Sequence, residues 1–164
     1  MEHLEYVERE ASKNMEHHIE DTECLNKEAH TTLSFLFVVI SAAFAGAVRL
    51  FEAKAAWVWP VALAILCIYL SVLAFCLTFT CLMARDIQPP ANEPKNLKLN
   101  GNTLREIREA ELENLQRRIE LNQERNKKTG TNLNRIRLLI CATPVLFIAV
   151  VWVIWVARPE AFFR

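Results

Sequence analysis

Three runs of the chain carry no formal charge: Thr31 to Val48 is 18 residues, Ala55 to Ala84 is 30, and Leu138 to Ala157 is 20. As helices they would extend about 27, 45 and 30 Å, against a hydrocarbon core roughly 30 Å thick. Each is therefore long enough to cross a bilayer. Together they hold most of the apolar side chains of a chain that is 52% hydrophobic, which argues against a purely soluble domain. The expected class is an all-α integral membrane protein, with three transmembrane helices and a cytoplasmic helical pair.

The expected order is an N-terminal amphipathic helix over 1–30, a transmembrane hairpin over 31–84, a Pro-rich linker over 85–102, a charged helix over 103–135, and a third span with a short outer tail over 136–164. In the first segment Leu4, Val7, Ala11, Met15, Ile19, Thr22, Leu25 and Ala29 recur in steps of three and four, one face of a helix. No Pro or Gly interrupts it, so one rod of about fifty residues running into the first span is expected. Ser41, Ala42, Ala45 and Gly46 supply small residues in that span, a spacing that lets helix backbones approach closely in lipid.

Trp57 and Trp59 open the second span, with Pro60 in its first turn, where proline is tolerated. Asn102 or Thr103 is placed to cap the charged helix, and Glu106 lies at capping-box distance from Thr103. That helix runs to about Lys128 with Leu104, Ile107, Leu112, Leu115 and Ile119 on one stripe. Gly130 is expected to break it, Pro144 to kink the third span, and Trp152 and Trp155 to mark the far interface.

The formal net charge is +0, with 19 basic and 19 acidic residues. The balance hides an asymmetry: residues 1–30 hold nine acids against three bases, and residues 85–137 twelve bases against eight acids. With the N-terminus inside, fifteen Lys/Arg collect on the inner side and four (Arg49, Lys54, Arg158, Arg164) outside. The positive-inside rule thus expects a multi-pass inner-membrane protein with its N-terminus cytoplasmic and its C-terminus outside. The first hydrophobic run begins after about thirty polar residues, unlike a cleaved signal peptide, and reads as a retained anchor. Both charged helices then share one compartment, where opposite charge and apolar stripes favour their pairing.

His17, Asp21 and Cys24 share a helical face beside His18, but one thiol without a second-shell partner is weak as a ligand set, and no metal is expected. No phosphate loop, nucleophile elbow or intramembrane carboxylate pair is present, so neither catalysis, a cofactor nor a small-molecule substrate is expected. Ser41, Ser71, Thr78, Thr80, Thr143 and Tyr69 could line a weakly polar path in an assembly, although hydroxyls bonded back onto their own helices account for them more simply. Arg117, Arg118, Arg125, Lys127 and Lys128 form a basic surface for a partner or for anionic lipid or nucleic acid.

This layout resembles the small membrane effectors of prokaryotic anti-phage systems: the SLATT proteins, the Pycsar transmembrane effectors and the transmembrane effectors of retrons. Pycsar-type effectors enter their first span with a pattern like D-x-K-A-x-x-L-L. The corresponding stretch here is Asn26, Lys27, Glu28, Ala29, His30, Thr31, Thr32 and Leu33, which keeps the alanine and one leucine and replaces the acid, the lysine and the first leucine. The resemblance implies a toxin-like, oligomer-forming effector of abortive infection that permeabilises the inner membrane once triggered. The departures imply that the signal arrives through a cytoplasmic partner, such as a reverse transcriptase with its nucleic acid or a cyclase-type sensor. Two other classes remain: a non-toxic anchor or scaffold recruiting a partner through its cytoplasmic helices, and a packing subunit of a larger complex.

Overall fold

The computed structural model describes residues 2–83, 88–90 and 103–157. Every regular element among them is helical: α1 spans Glu2–Glu52, α2 spans Val58–Leu77 and ends in a π-helical turn over Thr78–Leu82, α3 spans Leu104–Cys141, and α4 spans Thr143–Ala157. Two helices are long and apolar enough to cross a membrane, or up to three if α3 and α4 form one bent span. Most of the expected linker, Asn102, Arg158 and Arg164 lie outside the described residues.

α1 is a single helix of 51 residues, as the absence of a breaker before Gly46 predicts. It stops in a Schellman arrangement: Ala55 N–H bonds Leu50 O at 3.0 Å, and Lys54 N–H bonds Phe51 O at 3.1 Å. Lys54 holds the left-handed position at φ 50°, where glycine is usual. α3 begins at the predicted capping box. Thr103 N–H donates to Glu106 Oε2 at 2.7 Å, and Glu106 N–H reaches Thr103 Oγ1 at 3.4 Å.

The chain divides into two compact units. The polar unit, Met1–Lys27 with Ala84–Gly130, is built on a helix pair. Glu8 meets Arg108, Met15 meets Asn122, and Thr22 meets Asn126, so partner numbers rise together and the helices run parallel. Met15, Leu115 and Ile119 form a small core flanked by Ala11 and Ile19. The eight α1 positions expected on one face, Leu4 to Ala29, are all buried or half-buried. On α3 the stripe holds from Ile107 to Ile119 but not at Leu104, which is 72% exposed. Leu104 is the first residue of the helix, where the pair ends.

Gly130 does not break α3. A single glycine inside a helix costs about 1 kcal/mol relative to alanine, which neighbouring packing readily offsets. A Cβ placed there would sit 3.7 Å from Leu25 Cδ2, so the position lies against α1.

The apolar unit, Glu28–Met83 with Thr131–Arg164, contains the second half of α1, all of α2, the end of α3 and α4. Its buried residues include Ala29, Leu36, Val58, Ala62, Leu70, Leu73, Leu77, Leu133 and Ile136. Its surface carries large exposed apolar side chains on each helix, among them Phe35, Phe44, Ile68, Phe75, Val145 and Ile148. α2 packs against α4, and none of α4's residues is buried. α3 and α4 meet at Ala142 with a bend of 46°, two residues before Pro144. The proline ring clashes with the carbonyl four residues back and donates no hydrogen bond, which accounts for the kink.

Candidate functional site

Within the polar unit the helix pair changes character along its length. On α3, Leu112, Leu115, Ile119, Asn122, Asn126 and Thr129 follow one another in steps of three and four, the repeat of a coiled-coil seam. The first three are apolar and the last three polar, yet Asn122 is 2% and Thr129 8% exposed. On α1, Met15 and Thr22 are seven apart and both buried. Hydropathy ends the stripe at Ile119, so the polar half of the seam is invisible to an apolar count; only the continuing heptad spacing signals it.

Thr22, Asn122 and Asn126 each find partners in this stretch. The Thr22 hydroxyl lies 2.8 Å from Asn126 Oδ1 and 2.9 Å from His18 O, and Asn126 Nδ2 donates to His18 O at 2.8 Å. Asn122 pairs its amide with the main chain of Gln88 in both directions, accepting from Gln88 N–H and donating to Gln88 O, each at 3.3 Å. Its Nδ2 also points at Met15 Sδ at 3.5 Å. Arg118 donates to Pro89 O at 3.2 Å and pairs with Glu111. The backbone of residues 88–89 is thus clamped to α3 by two side chains.

The far end of the pair closes with charge. Arg108 Nε donates to Glu8 Oε1 at 2.8 Å, and Glu5 lies 3.8 Å from the same guanidinium. That hydrogen bond holds the Glu8 carboxyl below the usual glutamate range and raises Arg108. Glu106 is lowered by the Thr103 amide, and Glu124 by Lys128 at 2.7 Å. Beside the ion pair an open hollow of about 700 Å³ is lined by Leu4, Val7, Leu104 and Leu112, with Arg105 and Glu109 at its rim.

The residues singled out by sequence are distributed as follows. Arg117, Lys127 and Lys128 are exposed on α3, Arg125 is half-buried, and Arg118 is turned onto its own chain. Ser41, Ala42 and Ala45 are exposed on α1. Gly46 instead faces α2, where an added Cβ would meet Leu63 Cδ1 at 3.4 Å. His17 and His18 lie 3.9 and 3.8 Å from Asp21. Among the described residues, no group of three or more His, Cys, Asp and Glu is arranged to hold a metal ion.

In the apolar unit Thr78 and Thr80 bond back to Ala74 O and Cys76 O at 2.9 and 2.7 Å, so those hydroxyls serve their own helix. Tyr69 does not: its phenol donates to Leu139 O at 3.0 Å. At one end of the unit Arg137 bonds Glu28 Oε2 at 2.9 Å and Thr32 Oγ1 at 3.4 Å. A second, almost wholly apolar hollow of about 520 Å³ gathers Trp59 with Phe147, Val151, Trp152 and Trp155, so indoles from the start of α2 and the end of α4 come together. Comparison with family models, curated proteins and solved structures returns no match for this chain.

Proposed function

We propose that the chain is a multi-pass inner-membrane effector, with α1, α2 and the α3–α4 segment crossing the bilayer and the helix pair in the cytoplasm. In this reading it permeabilises the membrane when a cytoplasmic sensor partner releases or remodels the pair. The observation that carries the membrane part is the pattern of the apolar unit. Glu28 and Arg49, the charges bounding the first run, are 21 residues apart in one helix, about 32 Å by rise and close to the hydrocarbon thickness. The Glu28–Arg137 pair sits where α1 and α3 enter their apolar runs. The cluster of Trp59, Trp152 and Trp155 has the composition of the opposite interface.

The effector part is supported by the helix pair. A seam holding a small apolar core and then polar layers specifies its register at a cost in stability, which suits a pair that a regulator holds or opens. The exposed Ser41, Ala42 and Ala45 supply a face for self-association once it does. The test is expression of the full chain in bacteria while uptake of an impermeant dye is followed. Growth arrest with dye entry is expected; intact membranes at high expression would remove the effector reading.

The hollow beside Leu4, Val7, Leu104 and Leu112 favours a second reading, an anchor that recruits a partner through the distal end of the pair without harming the bilayer. Leu104→Asp would then abolish activity while Ala45→Leu left it intact.

A further inference from the structure

The bend between α3 and α4 places one backbone carbonyl between two donors. The helical ladder runs from Ala142 N–H to Leu138 O at 3.0 Å and resumes from Leu146 N–H to Ala142 O at 3.1 Å. In an unbroken helix Leu139 O would accept from Thr143 N–H. Here it accepts from the Tyr69 phenol of α2 at 3.0 Å, with Thr143 Oγ1 at 3.5 Å. Leu139 is 43% exposed, so on the membrane reading proposed above this oxygen lies in lipid, where a carbonyl left without a donor is costly and the donors available to it bias the local helix geometry. Beyond the bend α4 buries no residue, and two apolar hollows of about 100 and 520 Å³ lie along it; Tyr69 lines the first and Trp59 the second.

We infer that α4 is a hinged arm whose bend, imposed by Pro144, is stabilised by Tyr69, a positioning residue that supplies the donor the Leu139 carbonyl loses from the helical ladder there. In the bent state the phenol is the closer of the two donors to this oxygen. In the straighter state Thr143 N–H satisfies it, the phenol is no longer needed there, and the tip of α4 swings relative to α2. Pro144 keeps the second state from being dominant, because its ring obstructs the Ile140 carbonyl and it offers no N–H. Full straightening of the 15-residue helix through 46° would move its tip about 17 Å. This hinge rests on the membrane reading of the apolar unit, whatever the chain does to the bilayer.

The test uses the full chain in lipid nanodiscs, with native cysteines replaced and spin labels at Ala53→Cys and Val156→Cys, two exposed positions. Electron–electron resonance of the parent should give one main distance. Tyr69→Phe, which removes only the hydroxyl, should add a second population displaced by several ångströms. Pro144→Ala should enrich that same population. In the Pro144→Ala background Tyr69→Phe should add little, because the closed ladder already satisfies Leu139; simple loss of packing would not produce this coupling. A Tyr69→Phe distribution superimposing on the parent's overturns the proposal, as does full additivity of the two substitutions. Failure to enter nanodiscs with native helix content would contradict the membrane reading itself and is scored separately by circular dichroism.

Discussion

Thr22 of α1 and Asn126 of α3 meet side chain to side chain at 2.8 Å across the parallel helix pair, and both also touch the carbonyl of His18. A polar layer of this kind is satisfied only when the helices are aligned as they are here; a slip by one heptad would face Thr22 with Ile119 or Leu133. Polar residues at such positions fix register and oligomer state at some cost in stability. Asn126→Ile is therefore expected to raise the denaturation midpoint of the helix pair while allowing additional assemblies. Light scattering of the detergent-solubilised protein checks the second effect; a single unchanged mass would mean that Asn126 does not set specificity.

The distal end of the same pair depends on ionised carboxylates. Glu8 is held below its ordinary value by Arg108, so its contribution is present above the unfolded glutamate pKa and is lost as pH falls through the lower folded value. Glu106, lowered by the Thr103 amide, acts with the same sign. Amide exchange over residues 3–12 and 104–112, corrected for intrinsic rates, should lose protection as the pH drops below the usual glutamate range. Glu8→Gln should start from weaker protection and show a smaller pH step. A profile for Glu8→Gln that matches the parent at every pH would refute this.

What could be read in advance follows from how local each cause is. The Thr103–Glu106 box and the unbroken α1 were legible because they depend on residues three or four apart and on the absence of breakers. The Pro144 bend was legible because proline's effect is local. Gly130 misled because its effect depends on the Leu25 side chain lying 105 positions away, which spacing does not reveal. The Asn122–Gln88 clamp and the role of Arg118 were hidden for a related reason: a segment read only as linker supplies the carbonyls that α3 grips. Small side chains announced close packing on α1 but not its direction, and only the fold separates Gly46, facing α2, from the exposed Ala45.

Lys54 holds a left-handed conformation at the end of α1. Non-glycine residues there carry a penalty of roughly 1–2 kcal/mol. Lys54→Gly should stabilise the α1–α2 hairpin by about 1 kcal/mol, somewhat reduced by the greater freedom of glycine in the unfolded chain. Reversible unfolding in mixed micelles measures the difference. A destabilisation would show that the lysine side chain contributes more than its backbone strain removes.

Gly46 and Ala45 are adjacent in sequence and should respond oppositely to bulk. At Gly46 a single methyl would lie at ordinary contact distance from the flexible end of Leu63, so Gly46→Ala should change stability by less than about 1 kcal/mol. Gly46→Leu has no such room and should force α1 from α2, destabilising the hairpin by an overpacking cost of about 1–3 kcal/mol. Ala45 points outward, so Ala45→Leu should leave the folding of one chain unchanged and act only on contact between copies. Measuring unfolding and self-association side by side separates the two. If Ala45→Leu leaves the oligomer distribution and dye entry untouched while folding is normal, the exposed small-residue face is not the surface through which copies assemble.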